Sequence, residues 1–431
     1  MSHQVFRPTL VAAAAAVFCC AAPNAFAIRV ESQFTVTHRA WTAPSLARAA
    51  SGQFVVSWTG PETLRPYSAA VYVRPFYAGG TPRGAARKVD TVPKYSPSPS
   101  VAMDADGDFV VAWIKQFSFN PGHNSFSFGT TYVQRYSTAG VAQGKAEPVA
   151  AANDYFISTQ PVTVEHFTSP PSVAMDESGD FVAAWSTYEN TLNCLRIGGC
   201  KLVGSVSSIY AASYNADGTA IQPATEVQHY ATYGIGDGAL SVSDVALPTN
   251  GEFELTTRHA SYAPVQTQAL TPSLISLGPS NTLEYQFSSA IIEATTVSKD
   301  GLVHYVLSRD ATGCSVSRFG QSGMLLGAPV VVASDCAHNG AITALASGGF
   351  AVVWAAPNAF LPSLYDLCGR YFTADGSADG RVFTIEAASS SLDGVAVAAD
   401  ANDSLVVVSK IYSNFASGTA VPIVGHIVTR N

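Results

Sequence analysis

The sequence predicts an all-β fold, a seven-bladed β-propeller of four-stranded antiparallel blades, and three observations carry this prediction. A fixed phrase recurs along the chain, most copies are followed by a second β-hairpin pattern, and the two chain ends together supply one missing strand. Repetition of one supersecondary unit indicates that copies of the unit pack against each other to bury a shared core.

The recurring phrase is a turn followed by an apolar strand. It reads P-S-V-A-M-D-A-D-G-D-F-V-V-A-W over residues 99–113 and P-S-V-A-M-D-E-S-G-D-F-V-A-A-W over residues 171–185, and an earlier copy spans Pro44–Trp58. The strands after the turns are apolar at nearly every position, which is typical of strands buried on both faces. The turn residues of the seven copies are Gly52, Gly107, Gly179, Gly251, Gly301, Gly348 and, in the worn last copy, Asp403.

Four of the five tryptophans hold one register position in these strands. They are Trp58, Trp113, Trp185 and Trp354. Because large aromatic side chains at one place in a buried strand normally serve the core, we expect them to pack between blades; a stacked sugar site is the alternative.

Most copies continue with a strand, a glycine-ended turn and another strand, which predicts a hairpin. An aromatic residue stands four positions before the turn glycine in five copies: Phe76, Tyr136, Tyr214, Phe319 and Phe372. The fourth copy, residues 262–288, keeps the strand-like composition and loses the phrase. Two hairpins per copy give four antiparallel strands, the blade of a propeller.

The chain ends supply an independent indication of ring closure. The seventh copy ends after its third strand, P-I-V-G-H-I-V-T-R-N, and the unmatched strand I-R-V-E-S-Q-F-T-V-T-H precedes the first phrase. We therefore expect the N-terminal strand to complete the last blade, which removes the exposed edges of an open array.

The phrase resembles a repeat of exported bacterial proteins, roughly P-S-V-A-x-x-x-x-G-x-F-V-V-x-W followed by R-x-Y/F and two spaced glycines. The resemblance to this family of bacterial secreted β-propellers covers nearly the whole predicted domain, strongly in copies two and three and weakly in copies four and seven. It implies a propeller and no activity, since such repeats share no catalytic residues. The phrase is also similar to the Asp-box turn of sialidases, but its S-x-D-x-G-x-T-W spacing is absent, so no sialidase function is carried over.

Composition and the N-terminus bound the location and the partners. Arg7, the apolar run Leu10–Ala22 and the small residues Ala25 and Ala27 predict a signal peptide over residues 1–27 and a single propeller domain over residues 28–431, secreted or periplasmic, with no transmembrane segment after cleavage. An uncleaved membrane anchor is the alternative. The net charge is −8 and no basic cluster occurs, which excludes nucleic acid as an expected partner.

Five cysteines remain after the predicted cleavage, and an oxidising compartment permits disulfides. We expect Cys194 to pair with Cys200 across a short loop and Cys314 with Cys336 between neighbouring strands, which leaves Cys368 unpaired. Pairing of Cys336 with Cys368 is the alternative.

Motifs for chemistry are weak. No nucleophile elbow, H-E-x-x-H pair, phosphate loop or dinucleotide glycine run is present, and no cofactor is expected. Asp104, Asp106 and Asp108 form D-x-D-G-D, which is similar to the start of a calcium loop but lacks the acidic residue at the twelfth position. A polar β-turn explains this pattern in all copies, so calcium is a secondary expectation.

The longest insertions, which we expect to be loops crowding one sector of one face, predict the binding surface. They span Phe117–Phe128, Asn153–Pro170, Tyr188–Lys201 and Gln228–Gly238. Their aromatic, weakly charged composition suits a polysaccharide, peptide or protein partner, although the aromatic residues could instead order the loops themselves. The candidate ligand-binding residues are Phe117, Phe119, His123, Tyr155, Phe156, His166, Phe167, Tyr188, Arg196, His229, Tyr230 and Tyr233.

Three functions remain open at this point. The first is an exported binding or scaffold module of the cell envelope or extracellular space. The second is a carbohydrate-active hydrolase or lyase using Glu165, Glu189 and Asp237, since glycosidases need two carboxylates on either side of the scissile bond. The third is a structural repeat protein without a ligand, and the fold alone does not decide among them.

Overall fold

The computed structural model is an all-β ring. It describes residues 27–62, 68–93, 98–119, 126–149, 157–159, 162–195, 199–232, 240–248, 251–259, 265–283, 290–361, 363–389, 392–411 and 421–430. The predicted signal peptide lies outside these ranges except for Ala27. In the described ranges no helix has the length and apolar character to cross a membrane.

Seven sheets of at least four antiparallel strands surround one axis, and in five of them the strands follow the chain order from the innermost to the outermost; blade 7 ends with the N-terminal strand, and blade 3 has two additional strands. Blades 1 to 3 contain β2 (Ser45–Arg48), β3 (Phe54–Pro61), β4 (Ser68–Phe76) and β5 (Arg87–Pro93); β6 (Ser100–Met103), β7 (Phe109–Phe119), β8 (Phe126–Tyr136) and β9 (Ala142–Pro148); and β12 (Ser172–Met175), β13 (Phe181–Leu195), β14 (Gly199–Tyr214) and β15 (Ala220–Thr232).

The remaining blades follow the same order. Blades 4 to 6 contain β16 (Leu240–Ala246), β17 (Phe253–His259), β18 (Val265–Leu270) and β19 (Asn281–Thr282); β20 (Ile291–Val297), β21 (Val303–Asp310), β22 (Gly313–Gly320) and β23 (Val330–Ala333); and β24 (His338–Ala344), β25 (Phe350–Pro357), β26 (Tyr365–Phe372) and β27 (Ala378–Ser389). Blade 7 contains β28 (Leu392–Ala399), β29 (Leu405–Ile411), β30 (Val421–Arg430) and β1 (Ile28–Ala40). The predicted seven-bladed propeller is confirmed.

The ring closes through the two chain ends, as the sequence predicted. Strand β1 pairs antiparallel with β30, with Gln33 opposite His426 and Phe34 opposite Gly425. The Phe34 ring lies 5.5 Å from the ring of Phe54 and 5.2 Å from that of Phe76, so the closing strand also packs on blade 1. Closure thus satisfies a sheet edge and fills the space between blades 7 and 1.

The turn residues of the phrase adopt the left-handed conformation that a tight turn between first and second strands requires. Gly107 has φ +87° and Gly179 has φ +95°, and Asp403 at the same place in blade 7 has φ +57°. Asp403 tolerates this backbone because its carboxylate accepts hydrogen bonds from the N–H groups of Ala346 (2.7 Å) and Ser347 (3.3 Å) in blade 6. Aspartate in place of glycine at this turn is less free in its backbone, but its side chain forms hydrogen bonds that connect blade 7 to blade 6.

The core lies between blades. Trp58, Trp113, Trp185 and Trp354 are at most 2 % exposed, which confirms their predicted packing role. Trp113 packs in a cluster that joins Val55 and Val71 of blade 1 to Val111 of blade 2. Each blade therefore contributes one face to each of two interfaces, which is why the second strand is apolar at nearly every position in the blades that keep the phrase.

Blades 2 and 3 depart from the prediction, because much of the segments expected to be long loops is strand. Tyr188–Lys201 forms the ends of β13 and β14, Gln228–Gly238 begins inside β15, and Phe117–Phe128 includes the ends of β7 and β8. Asn153–Pro170 contains two more strands, β10 (Ile157–Thr159) and β11 (Val162–Thr168), which make blade 3 a six-stranded sheet. Long β-branched and hydroxyl-bearing stretches on either side of a turn favour continued pairing over an irregular loop.

Candidate functional site

The first candidate site is the part of blade 3 that extends past its neighbours. Strand β13 is long enough to pair with two inner strands in succession: β12 pairs with Phe181–Ala184, and β11 pairs with Thr187–Asn193. Strand β11 also approaches blade 2, where the Thr168 hydroxyl donates to the Gly129 carbonyl at 3.2 Å. The extensions of blades 2 and 3 therefore adjoin at one side of the face that carries the long connections. We call β10, β11 and the paired ends of β13, β14 and β15 the blade 3 extension.

Three of the predicted ligand-binding residues fall in one register row of this extension. Phe167 is opposite Tyr188, Tyr188 is opposite Ser207, and Ser207 is opposite Tyr230. Residues directly paired across antiparallel strands occupy one face of a sheet, with neighbouring strands 4.7–4.9 Å apart. Tyr188 is half-buried and Tyr230 is 36 % exposed. The row thus provides two tyrosines separated by a serine.

The carboxylates proposed for catalysis are not brought together on one face. Glu165 is opposite Asn190, whereas Glu189 is opposite His166 on the neighbouring register position. Because side chains alternate between faces along a strand, these two glutamate positions belong to opposite faces. This arrangement does not provide an acid and a base on two sides of one bond.

For the remaining predicted residues, the structure describes either the backbone position alone or nothing. Phe117, Phe119, Glu165, His166 and Phe167 lie at described strand positions, and their side chains are outside the described set. Outside the described residues altogether are His123, Tyr155, Phe156, Arg196, Tyr233 and Asp237.

His229 lies in a polar cluster that the sequence reasoning missed. Its Nδ1 atom is 3.2 Å from the Ser208 hydroxyl and 3.2 Å from the Glu226 carboxylate, which also accepts a hydrogen bond from Tyr210 (3.2 Å). A serine–histidine–acid relay needs the nucleophile and the acid on different ring nitrogens. Both contacts use Nδ1 here, so the cluster orders the outer strands and does not form such a relay.

The second candidate site is a cavity on the propeller axis, at the face with the short turns, and the sequence reasoning did not anticipate it. Its volume is about 310 Å³. Every blade contributes at least one residue to its wall, because the inner strands of all seven blades end around the axis. A signal in the sequence could have revealed this cavity. In most blades, the residues two and four places before the turn residue line it.

The wall of this axial cavity combines apolar and charged side chains. Met103, Met175, Leu247 and Ala399 hold the place four residues before the turn residue. Arg48 holds the same place in blade 1, and its guanidinium is 2.7 Å from the Asp400 carboxylate with both side chains at least 90 % buried. This ion pair joins blades 1 and 7 across the ring closure.

The D-x-D-G-D residues considered for calcium mainly serve the turns. The Asp104 carboxylate accepts from the Asp108 N–H at 2.9 Å, and the Asp108 carboxylate accepts from the Thr138 N–H at 2.7 Å and the Gln143 amide at 2.9 Å. Burial is the main reason why the pKa of Asp104 lies above its ordinary value. Among the described side chains, no group of three or more His, Cys, Asp or Glu is placed to hold a metal ion. The side chain of Asp106 is exposed, and calcium at this turn stays a prediction.

One predicted disulfide is present, between Cys314 and Cys336, whose Cα atoms are 5.6 Å apart. It joins the start of β22 to the residues after β23, and it overturns the alternative pairing of Cys336 with Cys368. Cys368 is a buried free thiol whose pKa is raised to about 11, chiefly by burial. Cys194 and Cys200 are directly opposite in the β13–β14 register, and their side chains are outside the described set.

Comparison with known proteins gives structural neighbours and no family. No protein-family model and no curated protein matches the sequence. A protein of unknown function from Dyadobacter fermentans matches 94 % of this chain and 99 % of its own, with 12 % identity and a TM-score of 0.49. A leech intramolecular trans-sialidase matches 94 % of this chain and 70 % of its own, with 10 % identity and a TM-score of 0.45.

A third neighbour is the α-L-arabinanase of Penicillium chrysogenum, which matches 93 % of this chain and 99 % of its own. The identity is 12 % and the TM-score is 0.43. Similarity at this level concerns the propeller architecture alone and assigns no activity to this chain.

Proposed function

We propose that the protein is an exported binding module that recognises a polysaccharide through the blade 3 extension. The observation that carries the proposal is the register row in which Phe167, Tyr188, Ser207 and Tyr230 succeed one another across four strands. Aromatic side chains supply flat apolar faces that fit sugar rings, and hydroxyl groups both donate and accept hydrogen bonds.

The composition of the extension supports a neutral partner over a charged one. Hydroxyl side chains lie beside the row in the described part of the sheet: Thr168 and Thr187 are opposite each other in the next register position, and Ser205 and Ser208 of β14 are buried. Few ionisable groups accompany them, and Glu226 is already engaged by His229 and Tyr210. The half-buried Thr168 and Thr187 beside the row, with sparse charge around them, suit a polymer that is itself rich in hydroxyl groups.

Export is supported by the cysteines as well as by the N-terminal sequence. The Cys314–Cys336 disulfide is expected to persist in an oxidising compartment and to be reduced in the cytosol. A binding module of the cell envelope or the extracellular space meets that condition.

The experiment is a glycan array with the protein lacking residues 1–27, followed by titration of any glycan that it retains. Tyr188→Ala and Tyr230→Ala should each weaken binding about 10-fold or more, since aromatic contacts concentrate the binding free energy. Tyr77→Ala is the matched control, because Tyr77 is a 53 % exposed tyrosine on blade 1, remote from the extension. A protein that binds no glycan, or that binds one equally well with all three substitutions, would contradict the proposal.

Shortening the extension provides a second variant that does not depend on single side chains. Thr187 is opposite Ser208, so replacing residues 188–207 with Asn-Gly removes Tyr188 and Ser207 of the row and closes the hairpin with a two-residue turn. We expect this variant to fold and to lose glycan binding. If the protein binds members of a peptide library and no glycan, the proposed partner is not a polysaccharide.

A further inference from the structure

We propose that a cavity between the outer strands of blades 2 and 3, which we call the junction cavity, binds one neutral sugar ring of hexose size. Its volume is about 240 Å³, below the usual range for drug-sized ligands, which suits a single ring. The cavity adjoins the turn between β14 and β15. Tyr214 in its wall is seven residues along β14 from Ser207 of the blade 3 extension, or about 23 Å of strand, so the two sites are separate.

The junction cavity exists because of one position in the repeat, seven residues after the turn residue of the second hairpin. In three blades the side chain at this position packs against the turn glycine of the following blade. These residues are Arg87, Asn281 and Val330 in blades 1, 4 and 5, and a Cβ atom added at Gly140, Gly323 or Gly376, respectively, would come within 3.2 Å of them.

Blade 2 differs at this position. It has Glu147, which is exposed and lines the cavity, and the atoms nearest to Gly218 of blade 3 belong to Arg135 of β8. The junction between blades 2 and 3 therefore keeps a space that the other three junctions fill with a side chain.

One wall of the junction cavity carries a buried hydroxyl group. Tyr214 is 9 % exposed, its ring stacks on that of Phe181 with the centroids 4.7 Å apart, and its hydroxyl makes no hydrogen bond within the described part of the chain. Packing does not require this hydroxyl, because three other blades have phenylalanine at the same repeat position, namely Phe76, Phe319 and Phe372. A buried polar group without a partner costs free energy, which a ligand that bonds to it recovers.

The Tyr214 hydroxyl stays protonated at neutral pH. Burial, together with the nearby Glu147 carboxylate, raises the pKa of Tyr214 to about 12. The group therefore both donates and accepts hydrogen bonds, as the hydroxyls of a sugar do.

Arg135 supplies donors to the same space. Its Nη2 atom donates to the Gln143 side chain at 2.7 Å, and its other N–H groups have no acceptor among the described residues. Arg318 holds the equivalent place in blade 5 and donates to the carbonyls of Ala374 at 2.8 Å and Leu326 at 2.9 Å. The blade 2 arginine thus retains hydrogen-bonding capacity that its blade 5 counterpart spends on the backbone.

A bulge in β9 adds a further donor. Gln143 is opposite Arg135 and Glu147 is opposite Val133, so three residues of β9 stand against one residue of β8. Bulges of this kind redirect side chains at sheet edges. Lys145 lies within the bulge and lines the cavity.

The balance of charges favours a neutral ligand over an ion. Arg135 and Lys145 are offset by Glu147 and Asp217, so the lining has no net charge. Carboxylates accept hydrogen bonds, whereas guanidinium and ammonium groups donate them, and adjacent sugar hydroxyls can bond to both kinds. The apolar Val133 at the cavity wall suits the C–H face of a sugar ring.

The experiment is saturation-transfer NMR and calorimetric titration of the protein lacking residues 1–27. The probes are the methyl glycosides of glucose, galactose, mannose and N-acetylglucosamine, with cyclohexanol as a ring that has one hydroxyl and sulfate as a simple anion. We expect at least one glycoside to bind with a Kd of about 1–10 mM and cyclohexanol to bind about 10-fold or more weakly. Absence of binding by all four glycosides at about 50 mM, or tighter binding of sulfate, would overturn the proposal.

Substitutions of the lining test the site from the protein side. Tyr214→Phe removes only the hydroxyl and Glu147→Gln only the charge, and each should weaken glycoside binding about 10-fold or more. Tyr136→Phe is the matched control, because Tyr136 is 5 % exposed at the same repeat position in blade 2, at the junction that Arg87 fills. Equal binding by the Tyr214 and Tyr136 variants would contradict the site.

A third variant closes the cavity. Glu147→Arg gives blade 2 the residue that blade 1 has at this position, and we expect it to fill the space and abolish glycoside binding. Thermal unfolding confirms that each variant folds, and glycoside binding that survives Glu147→Arg contradicts the site. The proposal does not depend on the blade 3 extension: glycoside binding by Tyr188→Ala reports on the junction cavity alone, so failure of either site is recognised separately.

Discussion

Blades 2 and 3 keep the recurring phrase, whereas blades 4 and 5 have lost most of it, and both pairs of blades fold into the same antiparallel arrangement. The register position held by Trp113 and Trp185 is held by Thr257 in blade 4 and by Leu307 in blade 5. Among the described residues, the apolar cluster between blades 4 and 5 contains Val265, Leu283, Val306 and Phe319 with a few partly buried neighbours, and the cluster between blades 1 and 2 contains ten buried residues.

Two polar side chains are also buried at the interface between blades 4 and 5. Glu254 of β17 is 4 % exposed and His304 of β21 is 3 % exposed, and their nearest side-chain atoms are 3.9 Å apart between blades 4 and 5. Blade 5 also carries the Cys314–Cys336 disulfide. The comparison of these blades indicates that backbone pairing between strands maintains the blade, even where the side chains that stabilise it differ.

The largest expected effect concerns the tryptophan position. Trp113→Ala should lower the free energy of unfolding by about 3–5 kcal/mol, because it removes a fully buried aromatic side chain and leaves a cavity. Thr257→Ala, at the same register position in blade 4, should cost about 1 kcal/mol, since it removes only a small polar group with a 3.3 Å contact to Gln228. Urea titration of both variants measures the two costs. Equal costs would mean that the phrase does not concentrate stability in blade 2.

The Cys314–Cys336 disulfide is expected to give the next largest contribution to the free energy of unfolding, and it lies in blade 5, which has lost most of the phrase. Replacing both Cys314 and Cys336 with alanine opens a loop with a sequence separation of 22 residues, for which about 3 kcal/mol is expected. Cys368→Ala is the control, because that thiol is buried and unpaired. Denaturant unfolding of the double variant with and without reducing agent checks this value. Sensitivity of the double variant itself to the reductant would point to a second disulfide.

The buried glutamate makes blade 4 sensitive to pH. Burial raises the pKa of Glu254 to about 7, so between its ordinary value and pH 7 the folded protein holds a proton that the unfolded chain has released. The free energy of unfolding therefore falls as the pH rises through this range, by on the order of 2–3 kcal/mol. Glu254→Gln should remove that part of the decrease, and unfolding measured from pH 5 to pH 8 tests it.

Two neighbouring groups shape the same profile. Burial raises the pKa of Asp244 to about 7, so Asp244→Asn should flatten the remaining decrease at rising pH. Burial lowers the pKa of His304 to about 4, and stability is then lost on the acid side, because the unfolded histidine takes up a proton below about pH 6.5. A pH profile of the wild-type protein that is flat from pH 5 to pH 8 would contradict the burial of both carboxyl groups.

The smallest effect concerns the turn contacts of the phrase. The Asp180 carboxylate accepts the Ala216 N–H at 2.8 Å and ties the two turns of blade 3 together, so Asp180→Ala should cost about 1 kcal/mol. Leu302 stands at the same place in blade 5 and is 51 % exposed, and Leu302→Ala should change stability by less than about 0.5 kcal/mol. Thermal unfolding compares the two variants, and an equal loss would remove the turn contact as a source of blade 3 stability.

The sequence by itself determined the number of blades and the closure through the chain ends, and it favoured the packing of the four tryptophans and the Cys314–Cys336 pair, each over one alternative that the structure then removed. These features depend on local patterns, namely turn residues, apolar strands and spacing, and such patterns can be read along the chain. Tertiary structure alone decided that the inserted segments of blade 3 are strands, because pairing of β10 and β11 depends on the length of β13 and not on their own composition.

The axial cavity required the tertiary structure for a different reason. Arg48 and Asp400 are 352 residues apart in the sequence, and each stands beside a turn whose only local signal is polarity. Only the angular spacing of the blades brings both to the same wall, beside methionines contributed by two other copies of the phrase. Contacts that depend on how whole blades are arranged around an axis have no signature within any single copy.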